Sequence, residues 1–216
     1  MKTLEIPYLP ELDSMDIENA AELMEEKACR NSVETINWPK EFAYHPITVF
    51  DIARSDEYIY ISFFVRGNYL LAVTYKDNEY VYTDSCVEFF VCKEDDDSYY
   101  NLEFNCIGTA YAAYGTGRNG RTLLNPEDLK RIKRYASVGN RPFEEMEGLF
   151  SWEVVFAIPY ELIGLDKNNL PDSLRANFYK CADASSLPHY LSWSPIQTEH
   201  PDFHRPEFFG RMILGK

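Results

Sequence analysis

The residues with most chemistry to offer sit in two facing segments. Asp84-Ser85-Cys86-Val87-Glu88-Phe89-Phe90-Val91-Cys92 leads into an acidic turn at 93–98, and the chain returns as Tyr99-Tyr100-Asn101-Leu102-Glu103-Phe104-Asn105-Cys106. Both alternate with the period of two that a strand imposes. If Cys92 pairs with Tyr99, Val87 meets Phe104 and Phe89 meets Leu102 on an apolar face. The other face then carries Glu88 opposite Glu103, Phe90 opposite Asn101 and Cys86 opposite Asn105. A slip of one residue would drive both glutamates into the core, so the register is strongly held.

Like charges directly opposite each other destabilise a sheet. Water, an arginine, a cation or the hydroxyls of a ligand must offset the pair. Carboxylates accept two such hydrogen bonds, while Asn both gives and accepts. The same two glutamates suit a glycosidase acid and nucleophile, which need carboxyl groups about 5–9.5 Å apart. A plain solvated outer face is the third reading.

Other constellations carry less. Gly115-Thr116-Gly117-Arg118-Asn119-Gly120 spells a dinucleotide-binding pattern, but no helix follows it directly and no βαβ unit surrounds it. It reads as a flexible loop from which Arg118 and Arg121 can reach a ligand. His200 and His204 are four apart, but Pro201 blocks a helical zinc geometry. Cys181 and His189 are a conceivable nucleophile pair, with a buried structural cysteine as the simpler reading. The acidic turn Glu94-Asp95-Asp96-Asp97 lacks the spacing of an EF-hand loop and reads as a solvated turn.

The elements that position these residues are mostly strands. Periodicity predicts strands over 47–53, 58–65, 70–74, 81–92, 99–106, 109–114, 150–158, 173–180 and 209–214, with a break at Gly67-Asn68. A short amphipathic helix is expected within 16–30. Asn125-Pro126-Glu127-Asp128 starts another, expected to run to about Arg134. Many short strands with few helices indicate an all-β, antiparallel β-sandwich with a few short helices. No linker or repeat divides the 216 residues, so 1–216 reads as a single domain with 1–40 as an N-terminal extension.

Composition narrows the partners. The net charge of −14 repels phosphate, which argues against nucleic acid and anionic membranes but not against neutral ligands. Five cysteines without a C-x-x-C pair argue against a zinc ribbon and suit small buried hydrophobes. The N-terminus lacks a signal-peptide stretch, so the expectation is cytoplasmic if Met1 is the native start, and exported with the signal removed otherwise.

The segments Asp84–Phe90 and Tyr100–Asn105 with Gly108 resemble the family 9 carbohydrate-binding modules. So do Ser151-Trp152-Glu153-Val154-Val155-Phe156-Ala157-Ile158-Pro159 with Leu162 and Gly164, Arg175-Ala176-Asn177-Phe178-Tyr179-Lys180, Leu191-Ser192-Trp193-Ser194-Pro195, and 203–211. The resemblance covers about 40–214 and is closest to the branch found in glycan-degrading gut bacteria. It implies a β-sandwich that binds a mono- or oligosaccharide without catalysis, as an accessory to glycan breakdown; the alternatives are a glycoside hydrolase using Glu88 and Glu103, or a protein-interaction sandwich with a lost sugar site. In the family two aromatic rings clamp a sugar and polar side chains bond its hydroxyls. Glu88 matches a family carboxylate, Tyr82 stands where the first clamp ring is expected, and Trp193 is assigned to the second. Glu103, Asn105 and Arg118 complete the expected ligand-binding set. The chain departs from the family pattern in having Tyr82 where a Trp is expected. No cofactor is called for, though the resemblance leaves a structural calcium open.

Overall fold

Alternation of apolar and polar side chains sorts the chain into two stacked sheets. The computed structural model describes residues 2–215. In chain order the strands are β1 (Thr3–Ile6), β2 (Cys29–Ser32), β3 (Thr35–Ile36), β4 (Ile47–Arg54), β5 (Tyr58–Ala72), β6 (Cys86–Lys93), β7 (Tyr99–Asn105), β8 (Ala110–Gly115) and β9 (Thr122–Leu123). They continue as β10 (Lys133–Ala136), β11 (Phe143–Pro159), β12 (Ser173–Cys181), β13 (Tyr190–Ser192) and β14 (Gly210–Leu214). Helix α1 is Ile17–Lys27 and α2 is Pro126–Leu129.

One sheet runs β1-β14-β12-β6-β7-β8-β9, with β13 and β3 attached beside β12; the other runs β10-β11-β5-β4-β2. Among the described strands only β1 and β14 pair in parallel. The fold is an all-β sandwich, as the periodicity indicates. The β6–β7 register is the expected one, with Val87 against Phe104, Glu88 against Glu103 and Phe89 against Leu102.

Between the sheets, Val87, Phe89, Leu102 and Phe104 meet Phe50, Phe63, Val154 and Phe156. Phe104 stacks on Phe156 at 4.0 Å and Phe50 on Phe178 at 3.9 Å. Each such buried side chain contributes about 1.5–3 kcal/mol of transfer free energy. Two further apolar layers cover the outer sheet faces. Ala20 and Met24, one turn apart on α1, pack with Leu12 on Tyr60, Val155 and Ala157 of the five-stranded sheet. On the nine-stranded sheet, Phe90, Tyr99 and Tyr179 lie under Trp38, Val81, Phe203 and Phe209.

Three local expectations need correction. The break at Gly67-Asn68 lies inside one long β5, opposite an irregularity in β11. Gly67 is needed there because a Cβ would press on Tyr44 Oη, which accepts from the Asn68 amide at 2.7 Å. The strand expected from residue 81 starts at Cys86, after a 3₁₀ turn over Val81–Thr83. The helix at Asn125 is capped as expected, with Asn125 Oδ1 accepting from the Glu127 amide at 3.0 Å, but it stops at Leu129. Arg134 is pulled into β10 by two bonds to Asp77, at 2.8 and 2.9 Å.

Trp193 is also not the second clamp ring that the resemblance assigns it to be. It follows β13, is 2% exposed, and packs edge-on against Phe178 at 5.7 Å. Its indole N–H donates to Asn31 Oδ1 at 3.2 Å. Phe178 pairs with Phe89 and faces the inter-sheet core, so Trp193 lies on the opposite face from Glu88. Gly210 makes the room, since a Cβ there would overlap the indole ring. Trp193→Ala should therefore cost about 3–5 kcal/mol of folding stability, and Gly210→Ala should also destabilise by overpacking. Urea unfolding midpoints check both, and a Trp193→Ala midpoint equal to wild type would place the ring outside the core.

Candidate functional site

The outer face of the β6–β7 hairpin does not meet open solvent. It forms the floor of a pocket of about 480 Å³, within the range typical of small-molecule sites. Glu88 and Glu103 are each only 3% exposed. Alternation along β6, β7 and β12 puts them on one face with Phe90 and Tyr179. The layer over this face is anchored at several points. Tyr179 stacks on Phe203 at 4.2 Å and donates to its carbonyl at 3.1 Å. The Trp38 indole N–H donates to the Thr198 carbonyl at 2.9 Å, and Tyr99 Oη hydrogen-bonds His204 Nδ1 at 2.8 Å.

Four tyrosines line the pocket: Tyr80 and Tyr82 beside β6, Tyr111 on β8 and Tyr190 on β13. Tyr111 pairs with Glu103, so the register that sets the floor also sets this ring. Tyr80 and Tyr82 lie 5.5 Å apart, and the Arg121 guanidinium sits over Tyr111 at 5.7 Å. Two loops close the rim. Arg118, from the glycine-rich loop, donates to Asp202 Oδ1 at 3.1 Å and to the Pro201 carbonyl at 3.3 Å. Asp183 completes the rim.

Polar atoms on the floor are incompletely satisfied. Glu88 Oε1 accepts from Cys181 Sγ at 3.0 Å, and Glu103 Oε1 accepts from Asn101 Nδ2 at 3.0 Å. Glu103 Oε2, Asn101 Oδ1 and Arg121 Nη1 are buried with no hydrogen-bond partner among the described residues. Arg121 Nη1 stands 3.9 Å from Glu103 Oε1, too far for a hydrogen bond. Burial pushes the Glu88 carboxyl up to about 7, partly offset by the Cys181 hydrogen bond and the two arginines. Burial and the Glu88 charge hold Glu103 well above the usual glutamate range. Burial lowers His204 to about 3, so its ring is neutral.

The pocket brings together Tyr82, Glu88, Glu103 and Arg118 from the expected set. It excludes two others. Trp193 is the core side chain described above. Asn105 is spent on structure: its Nδ2 donates to the Thr74 carbonyl at 2.7 Å and to Asp84 Oδ2 at 2.8 Å, and its Oδ1 accepts from the Thr109 amide at 3.0 Å. This clamp holds the β7–β8 turn, where Gly108 adopts φ +80°. Cys181 and His189 do not meet as a nucleophile pair, because His189 Nε2 faces Lys180 Nζ at 2.9 Å. Tyr80, Tyr111, Asp183 and Tyr190 are pocket residues outside the expected set. Only Tyr111 had a sequence signal, by carrying the hairpin register across the Gly108 turn. At the acidic turn, Glu94 Oε1 accepts from Ser173 Oγ at 2.6 Å and Arg211 Nε at 2.9 Å.

The chain belongs to carbohydrate-binding family 9, whose model matches residues 18–214. It is similar over 99% of both chains to a crystal structure from Bacteroides uniformis provisionally described as a carbohydrate-binding protein, with 36% identity and a TM-score of 0.92. Two family 9 modules from Caldicellulosiruptor kristjanssonii share the fold at 14% identity. One, in complex with glucose, has a TM-score of 0.57 and covers 100% of this chain and 97% of that one. The other, in complex with cellotriose, has a TM-score of 0.52 and covers 99% and 94%. Among curated proteins no sequence matches.

The floor carboxyls hold protons in the folded chain at pH values where a free glutamate has lost its own. The Glu88 contribution is fully present below pH 4.5 and is lost as pH rises through about 7, and that of Glu103 is lost as pH rises through its own raised value. Glu103→Gln should flatten this loss, so the stability difference between variant and wild type should shift in the variant's favour as pH rises above about 4.5. Urea midpoints in buffer free of divalent cations check it. His189 and His204 titrate in both proteins and cancel in the difference. A pH-independent difference would mean that Glu103 is ionised throughout.

Proposed function

We propose that this chain is a non-catalytic sugar-binding module that holds a mono- or oligosaccharide in the tyrosine-lined pocket and serves as an accessory to glycan breakdown. One observation carries the reading: a buried floor with unpaired hydrogen-bonding atoms, Glu103 Oε2 and Arg121 Nη1, lies under four tyrosine rings. A sugar ring matches that combination. Its C–H faces pack on aromatic faces, and its hydroxyls both donate to carboxylates and accept from a guanidinium. An unpaired buried polar atom costs about 1–3 kcal/mol, so supplying its partner favours the ligand. Family membership and the glucose and cellotriose complexes of the two distant modules support the ligand class. In this reading Tyr82 forms one wall, and Tyr111 and Tyr190 take the part assigned from sequence to Trp193. A module that binds without cleaving concentrates an enzyme on its substrate, which is the accessory role proposed.

The test is a glycan array followed by titration calorimetry on the hits. Wild type should bind a neutral mono- or oligosaccharide, and Tyr82→Ala and Tyr111→Ala should each weaken it at least about tenfold, or about 1.4 kcal/mol. Unchanged affinity in both variants, or no glycan bound at millimolar concentration, would sink the reading. The raised Glu88 carboxyl also has the character of a general acid. Release of sugar by wild type that is lost in Glu88→Gln would replace the binding module with a glycoside hydrolase.

A further inference from the structure

Two cysteines the sugar-binding reading leaves unassigned meet Glu88 of the pocket floor in one buried cluster. Cys86 on β6 and Cys181 on β12 are directly paired across the two strands, and Glu88 follows Cys86 by two residues on the same face. The two Sγ atoms and a Glu88 carboxylate oxygen all lie within 4.8 Å of one another. The exposures are 0% for Cys86, 1% for Cys181 and 3% for Glu88. Both thiols are free.

We infer that Cys86, Cys181 and Glu88 form a site for a thiophilic divalent cation of the zinc class. Two sulfurs and one carboxylate oxygen are a donor set for zinc, cobalt or cadmium, while calcium and magnesium take oxygen ligands only. Metal–sulfur bonds of about 2.3 Å and metal–oxygen bonds of about 2.0–2.2 Å let one tetrahedral ion bridge donors this close with small side-chain rotations. The donors sit on neighbouring strands of one sheet, so backbone hydrogen bonds hold their spacing. Glu103 points to the same need for positive charge: it faces Glu88 across the β6–β7 pair, and its Oε2 has no partner among the described residues. Cys181 and Glu88 also line the pocket, which gives the ion an entry path and leaves its fourth coordination position towards the cavity.

Binding balances simply. Each thiol gives its proton to solvent, each sulfur donates a lone pair to the metal, and the Cys181–Glu88 hydrogen bond of 3.0 Å gives way to two bonds through the ion. Uptake therefore releases at least two protons and strengthens with rising pH. The site shares Glu88 with the pocket floor but needs no bound sugar to form.

The experiment titrates Co²⁺, then Zn²⁺, into chelator-treated full-length protein kept reduced with a phosphine. Saturable uptake of one Co²⁺ per chain is expected, with thiolate-to-cobalt charge-transfer absorbance that Zn²⁺ displaces and Ca²⁺ does not. Calorimetry in buffers of different ionisation enthalpy should show the proton release. Cys181→Ser and Cys86→Ser should each weaken uptake at least tenfold, Glu88→Gln should weaken it while keeping the sulfur bands, and Cys29→Ser should change nothing. Near-ultraviolet circular dichroism checks that each variant is folded. If a cysteine variant does not fold, Glu88→Gln and the Zn²⁺-induced rise in wild-type melting temperature decide. Absence of saturable uptake, undiminished affinity in Cys181→Ser, full affinity in Glu88→Gln, or no Zn²⁺-induced rise in wild-type melting temperature overturns the site.

Discussion

Two buried carboxyl groups facing each other across β6 and β7 place a demand on everything around them. The register that seats Phe89 and Phe104 in the core leaves Glu88 and Glu103 nowhere else to go. The aromatic layer of Tyr179, Phe203 and Trp38 packs over the same face, and the two carboxyls keep only 3% exposure each. A buried pair of this kind persists only when protonated, bonded or matched by positive charge. Each remedy is partly present: a thiol on Glu88, an amide on Glu103, Arg121 at the edge and raised carboxyl affinities for protons. None satisfies Glu103 Oε2.

The second-layer loops are pinned by polar contacts rather than by sheet pairing. Asp84 shows how. Its carboxylate accepts from the Val73 and Thr74 amides and from Asn105 Nδ2, and so ties the end of β5, the entry to β6 and the β7–β8 turn together. The segment carrying Tyr80 and Tyr82 hangs from that knot. A residue that resembles a sugar contact in sequence can therefore act one step away, by fixing the loop that presents the ring. On the opposite face of β12, Lys180 donates to the Cys181 carbonyl at 2.6 Å and faces His189. The Leu187 carbonyl accepts from His189 Nδ1–H at 2.7 Å, which leaves Nε2 to accept from Lys180. This pair holds the chain between β12 and β13, and with it the approach to Tyr190.

The parts legible in sequence were those governed by local periodicity. Strand alternation revealed the sandwich and, through residues 84–106, placed Glu88 and Glu103 on one face in the correct register. What it could not reveal depends on distant partners. The resemblance assigns Trp193 to the second clamp ring. The indole is nevertheless buried, because Gly210, far along the chain, leaves a slot and Asn31 supplies an acceptor. Asn105 looked available because Asp84 and Thr74 lie outside its strand. Arg134 read as helical until Asp77 claimed it. Tyr190 and Asp183 reach the pocket through a loop whose path follows no periodic pattern.

The pocket's charge follows from the same geometry. Glu88, Glu103, Asp183 and Asp202 line it against Arg118 and Arg121. Arg118 is already engaged by Asp202 and the Pro201 carbonyl at the rim. Arg121 stops short of a hydrogen bond to Glu103 and spreads its charge over Tyr111. The cations thus brace the walls more than they neutralise the floor. The floor asks for hydrogen-bond donors or positive charge, which hydroxyl groups can bring at its mouth and a cation at its depth. An anionic ligand would add charge to carboxylates that already resist ionising. The repulsion of anions expected from the net charge of −14 acts again, at closer range, at the buried pair.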